Sequence, residues 1–343
     1  MKSDTMVLGF VGLWCCILSL SIAFLAPGYA AESRRVDAAT KEGKLVLYTV
    51  MNAGDNQVLM RTFEKKFPGI MVEGFRGGTG ALLNKVLTEA RAKSLKADVI
   101  FAGGSEMQVF KKQGVLEKYV SPEATAIADG FKDSEGYWTT VHPLMLVTAY
   151  NTQLVKPQDA PKSYEDLLKP QWKGNMIMDR VEYDWFATLQ KIWGREKAID
   201  YAKKLATQNI KFMTGHANIA QLVAAGEAPI GINMYAYYVS GIKRKGSTID
   251  WVALDPVVAI LQVIGMSSDA SHPNAAKLFV DFILSVDGQN LIKSFGRIPG
   301  RRDVEPLYEE LGKIKAHPTD TTSIYHHGLE KFGKEYRDIF GLK

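Results

Sequence analysis

The chain has 343 residues, 46% of them hydrophobic and 23% charged, with a net charge of +5. This is globular composition, which excludes an extended disordered chain, and the length exceeds one ordinary core, so two lobes are expected. Basic residues are dense only at Lys243-Arg244-Lys245 and Arg301-Arg302. Both read as solvated loop charge, and without a basic stripe carrying base-stacking aromatics no nucleic-acid partner is expected.

Residues 1–30 read as an export signal. Lys2 precedes an uncharged run from Val7 to Ala26, and Pro27-Gly28-Tyr29-Ala30 follows. Small residues at Gly28 and Ala30 suit signal peptidase, which places the start of the mature chain near Ala31 and its location in the periplasm. An uncleaved anchor is the competing reading, since about 20 apolar residues can span a bilayer. Both cysteines, Cys15 and Cys16, lie in this segment. The mature chain then has no thiol, which excludes disulfides, thiolate metal sites and cysteine nucleophiles.

Beyond the leader, strand and helix patterns alternate. Lys44 to Val50 is a short β-branched run of the kind that fills a strand covered on both faces. Asp55 opens a helix with Val58, Leu59, Phe63 and Phe67 at helical spacing, stopped by Pro68-Gly69. Met71 to Phe75 reads as a strand, Ala81 to Lys93 as a helix, Ala97 to Ala102 as a strand, and a helix runs from Ser105 to Gly114. This order predicts a parallel sheet flanked by helices.

Trp138 to Asn151 is then a long extended run, able to carry the chain to a second lobe. There Ser163 to Leu168 starts a helix, Asn175 to Met178 is a strand, and Asp184 caps a helix reaching Trp193. Arg195 to Leu205 and Asn218 to Ala225 are helices, and Pro229 to Asn233 is a strand. Thr248 to Ala259 is the expected return crossing. Pro273 opens a helix to Leu284, with proline in its tolerated first turn. The expected fold class is α/β, with two lobes joined by extended hinge crossings, each lobe a mainly parallel sheet. The lobes divide as 31–141 with 256–300, and 142–255 with 301–343. Such an arrangement suits a hinged binding protein.

Open parallel sheets bind ligands beyond the carboxyl ends of their strands, where helix N-termini also point. That rule selects Asn52 after the first strand, Arg76, Gly78 and Thr79 after the second, and Gly104 and Ser105 after the third. Arg76 can grip a carboxylate or phosphate through two parallel hydrogen bonds. In the second lobe the rule selects Arg180, Tyr183 and Asp184, and then Tyr235. Tyr235, Tyr237 and Tyr238 read as cleft lining, and as phenolic oxygens they are also candidate ligands for ferric iron. No resident cofactor is expected; ferric iron is considered only as a transported solute. The histidines form no helical metal-ligand pair, His272 reads as capping the helix at Pro273, and no nucleophile–base pair is recognisable.

Several segments together resemble the periplasmic solute-binding proteins of ABC importers, in the cluster that includes the ferric-ion-binding proteins. They include KLVLYTV from Lys44, the ADVIF strand, Tyr119-Val120-Ser121-Pro122, Lys169 to Gly174, QLVAAGEAPI from Gln221, and Gly288-Gln289. The resemblance implies the two-lobe periplasmic binding protein fold with a closing cleft. It also implies a non-catalytic monomer that delivers its ligand to an inner-membrane permease. Iron-binding members use a His after the first strand, a Glu after the ADV strand and two adjacent tyrosines. Here those positions fall on Asn52, Gly103, Tyr235 and Ala236, unless a shift brings in Tyr237 and Tyr238. These departures, together with Arg76, Arg180 and the helix starts, favour a small anion or a chelated metal. A tyrosine-type ferric-iron carrier and an exported cleft hydrolase are the alternatives.

Overall fold

A computed structural model describes residues 27–343, with side chains from Arg34 onward. Of the signal expected over residues 1–30, residues 1–26 lie outside the described residues. Helix α1 (Pro27–Glu42) runs through the expected cleavage point. Among the described residues, no helix is long and apolar enough to cross a membrane.

The first lobe follows the expected alternation. It runs β1 (Lys44–Thr49), α2 (Ala53–Lys66), β2 (Met71–Arg76), α3 (Thr79–Arg91), β3 (Val99–Gly103), α4 (Gly104–Lys112) and the short β4 (Leu116–Glu117). β1 pairs in parallel with β2 on one side and β3 on the other. Its apolar run is explained by helices on both faces. Leu45 and Leu47 pack with Phe63 of α2, whereas Tyr48 packs with Leu82 and Val86 of α3.

β5 (Thr139–Asn151) is one uninterrupted strand that belongs to both lobes. Beyond it come β6 (Met176–Asp179), α5 (Tyr183–Trp193), α6 (Arg195–Ala206), β7 (Lys211–Met213), α7 (His216–Ala224), β8 (Ile230–Tyr235), α8 (Ala236–Arg244) and β9 (Ile249–Val252). The chain returns through β10 (Val257–Ser267), followed by α9 (Pro273–Leu284) and α10 (Val286–Ser294). The terminal stretch adds α11 (Glu309–Gly312), β11 (Ala316–Pro318), α12 (Thr321–His327) and α13 (Leu329–Phe340). The main strand order is β2-β1-β3-β10-β5-β8-β6-β7. Thr139 to Met145 pair with β10, whereas Leu146 to Asn151 pair with β8 and β9, so β5 is the physical link between lobes. The second-lobe core gathers Trp185, Phe186, Ile230 and Ile232, and α13 closes it with Tyr336.

Several expectations need correction. The return crossing is two strands, because β9 stops at Val252 and β10 continues to Ser267. Glu182, not Asp184, occupies the N-cap position of α5; Asp184 lies in its first turn. His272 occupies the N-cap position of α9 as expected, but its side chain makes no capping hydrogen bond. Its Nδ1 lies 2.8 Å from Asp98 Oδ2, anchoring the helix start to the sheet instead. Arg301 is not solvated, since its guanidinium is held by Glu123, Asp303 and the carbonyl of Leu284. β7 has only three residues, too short for periodicity to reveal.

Candidate functional site

A cavity of about 620 Å³ lies between the lobes. The first lobe contributes Met51, Asn52, Asp55, Arg76 and Thr79 to its wall. The hinge strands supply His142 and Gln262, and the second lobe supplies Tyr235, Tyr237, Tyr238 and Lys245. Its volume is in the range of small-ligand sites.

Arg76 ends β2, and its Nε donates to the carbonyl of Met51 at 3.0 Å. That bond fixes the guanidinium plane through one edge. The two terminal nitrogens have no hydrogen-bond or ionic partner among the described residues. Thr79 opens α3 beside it, so backbone N–H groups face the same space. Asn52 uses its amide locally: Oδ1 accepts from Asp55 N at 2.9 Å, and Nδ2 donates to Asp55 Oδ2 at 2.6 Å.

Asp55 is in turn gripped by Arg297, whose Nε and Nη2 donate to Oδ2 at 3.0 and 2.8 Å. Arg297 also lies over the Tyr237 ring, 5.2 Å from its centroid. The acid therefore neutralises one arginine and leaves Arg76 uncompensated. Lys245 adds a second cation without an ionic partner among the described residues. Lys243, Arg244 and Lys245 are all exposed, as expected of solvated charge, although Lys243 and Arg244 lie in α8 and not in a loop. Lys243 pairs with Asp250, and Lys245 lines the cavity.

On the opposite wall, His216 stacks on Tyr235 with centroids 4.1 Å apart and planes 14° apart. His216 Nε2 lies 2.8 Å from Glu182 Oε1, while Asn233 Nδ2 donates to Glu182 Oε2 at 3.3 Å. Asp179 Oδ2 accepts from Gly215 N at 2.6 Å, fixing the turn that starts α7. This buried network holds the Tyr235 ring against the cleft.

Of the residues selected from sequence, Asn52, Arg76, Thr79, Tyr235, Tyr237 and Tyr238 line the cavity. Gly78 stands next to it as the N-cap of α3. Gly104, Ser105 and Asp184 are brought together elsewhere. Ser105 Oγ donates to Asp184 across the lobes, beside the buried Glu106, and Gly104 packs on Leu261. The start of α4 offers no anion site because Glu106 sits there itself, its carboxylate bonded to its own backbone N–H. Tyr183 faces away, its hydroxyl accepting from Arg337 Nη1 of α13 at 3.0 Å. Arg180 is exposed and does not line the cavity.

Asp55, His142, Lys245, Gln262 and Arg297 were not anticipated. In the sequence Asp55 shows only as a helix start, and nothing local draws Arg297 to it from 242 positions away.

The buried acids make stability depend on pH. Burial pushes Glu182 up to about 7, outweighing its His216 partner. Burial, and then the nearby Asp184 charge, push Glu106 up to about 7. Burial lowers His216, but the Glu182 carboxylate outweighs it and holds the imidazole above its ordinary value. All three folded values are raised, so their contribution to stability is full below the unfolded values; it is lost for the two acids as pH rises through about 7, and for His216 as pH rises through its own raised value. The thermal midpoint of ligand-free protein should therefore fall between pH 5.5 and pH 8. Glu182→Gln should flatten that slope in parallel thermal scans; a wild-type midpoint that rises over this range would contradict it.

The sequence profile of the family described as bacterial extracellular solute-binding protein matches residues 59–319. The chain belongs to this family. A relative of this solute-binding protein is the Fe(3+)-binding periplasmic protein of Serratia marcescens, 25% identical over 272 residues, or 75% of this chain and 78% of the relative. Iron-bound HitA from Pseudomonas aeruginosa shares the fold with a TM-score of 0.74 at 22% identity, covering 86% of this chain and 99% of that one. The periplasmic binding protein AfuA from Actinobacillus pleuropneumoniae, solved with exogenous fructose-6-phosphate bound, matches with a TM-score of 0.65 at 26% identity. That match covers 87% of this chain and 96% of AfuA. The fold is thus the two-lobe periplasmic binding protein fold, and the role implied by the sequence, a periplasmic solute-binding protein of an ABC transporter, stands.

Proposed function

We propose that this solute-binding protein captures a small organic anion, free or chelating a metal, in the interlobe cleft and hands it to an inner-membrane permease without catalysis. The observation carrying this reading is Arg76, anchored through Nε and open at its terminal nitrogens inside the cavity. A guanidinium held by one edge presents the other to a carboxylate or phosphate with little ordering cost. AfuA, solved with a phosphorylated sugar, agrees with that chemistry.

Bare ferric iron fits less well. Tyr238 Oη is engaged by Gln221 at 2.8 Å and Tyr237 lies under Arg297. Among the described residues no group of three or more His, Cys, Asp or Glu side chains could hold a metal ion. Arg76 and Lys245 in the same cavity would also repel a trivalent cation. Titration with fructose 6-phosphate, citrate, ferric citrate and ferric chloride tests the reading. At least one of the three anions should raise the thermal midpoint, and ferric chloride alone should not.

The lobes proposed to move are residues 31–141 with 256–300 against 142–255 with 301–343. Their hinges are His142–Tyr150 of β5 and Trp251–Val257 between β9 and β10. Closure requires a ligand that binds the closed state better. Small-angle scattering should give a smaller radius of gyration at saturating ligand; an unchanged radius would mean a rigid scaffold.

A further inference from the structure

The floor of the cavity is built from the two hinge strands, and two of its side chains carry polar atoms without partners. His142 of β5 and Gln262 of β10 are direct partners in the antiparallel register, which puts both side chains on one face. Both line the cavity. His142 is 1% exposed, and its Nδ1 has no hydrogen-bond partner. The Gln262 amide likewise has none among the described residues. A buried polar group left unpaired costs about 1–3 kcal/mol, so such groups are rarely left so without a role.

The strand geometry at this point is specific. The register shifts between Gln262 and Val263, so Val141 is the extra residue of a bulge next to His142. Its carbonyl accepts from Gly300 N at 3.0 Å. Bulges of this kind re-aim side chains beside binding sites. Burial, and then the charge of Arg297, hold His142 well below its ordinary range, so the ring is neutral. A neutral imidazole offers one N–H donor and one lone pair, and a primary amide offers both as well. A hydroxyl is the smallest uncharged organic group that can accept from one and donate to the other at once.

We propose that His142 and Gln262 form a subsite for an uncharged hydroxyl of the solute, so that the transported anion is hydroxylated. This rests on the anion reading, with Arg76 taking the charged end. Two sources of such a ligand, a hydroxycarboxylate and a sugar phosphate, share the required chemistry.

Matched pairs in calorimetric titrations test it. Citrate is compared with tricarballylate, which lacks only the hydroxyl, and fructose 6-phosphate with hexyl phosphate. Wild-type protein should bind the hydroxylated member of at least one pair about tenfold more tightly. The pair showing this identifies the source. Gln262→Leu, at a half-buried position, and His142→Phe should each reduce the preference to about twofold or less. Affinity for the member without hydroxyls should stay within about twofold of wild type. Arg76→Ala should weaken both members together. Equal wild-type affinity for both members, or a preference that survives Gln262→Leu, would overturn the subsite while leaving the anion reading intact. Failure of all four solutes to bind at millimolar concentration would overturn both.

Discussion

Replacing Arg76 with alanine is expected to weaken solute binding by about 10- to 100-fold. A charge-assisted hydrogen bond contributes roughly 1.5–3 kcal/mol, and each 1.4 kcal/mol or so is tenfold in affinity. The effect should fall on binding and not on folding. The Arg76 side chain is exposed, and its one intramolecular bond is the Nε contact to the Met51 carbonyl. Ligand-free thermal unfolding should therefore change little. Arg76→Lys should recover only part of the affinity, because an ammonium cannot reproduce a planar two-point grip. Calorimetric titration of the three proteins with the copurified solute measures this. Equal affinities would remove Arg76 from the site and with it the main reason for preferring an anion to a bare metal ion.

Gly300→Ala should act on both stability and binding. A Cβ at this position would lie 2.7 Å from the Thr140 carbonyl oxygen and 2.9 Å from that of Val141. These are backbone atoms of β5 within the bulged ladder with β10, so neither can yield without disturbing the hinge pairing. The glycine N–H also donates to Val141 O at 3.0 Å and to Gln289 Oε1 at 2.7 Å. Overpacking of this kind costs about 1–3 kcal/mol or somewhat more, and should lower the thermal midpoint by several degrees. Arg297 lies three residues upstream on the same segment, so the shift should also loosen its pair with Asp55 and weaken binding severalfold. Gly80→Ala is the control, because a Cβ there meets nothing within 4 Å. Thermal scans of the two variants should separate by several degrees. Coinciding midpoints would show that the β5 carbonyls can move aside.

The architecture was legible in the sequence where burial imposes a simple period. β1 and β3 are covered on both faces and therefore read as unbroken apolar runs, and α9 shows its proline start. β5 stood out because thirteen extended residues with a proline fit neither a helix nor an ordinary strand. The break before β10 was hidden, because Asp255-Pro256 lies between two stretches of the same extended character. The anion side of the cleft was partly legible, since strand-end geometry picks out Arg76 and Thr79 without knowledge of packing. The same rule misdirected attention to Gly104 and Ser105. A helix start attracts an acidic group, but at α4 that group is the protein's own Glu106, and composition cannot distinguish an internal carboxyl from a bound one. Tyr183 was lost for a similar reason: α13, far along the chain, covers it and engages its hydroxyl through Arg337. The floor residues His142 and Gln262 and the Asp55–Arg297 pair depend on contacts between distant segments, and these leave no local pattern to read.

The most direct measurement is native mass spectrometry of protein purified from the periplasm, with a visible absorption spectrum of the same sample. The expected result is a colourless protein, or one coloured only by a chelate, carrying an acidic organic molecule of about a few hundred daltons in a cavity of this size. Release of that molecule by Arg76→Ala would complete the assignment. A mass increment equal to one iron ion, with no organic component and a visible tyrosinate-to-iron band, would contradict it and establish a ferric-ion carrier instead.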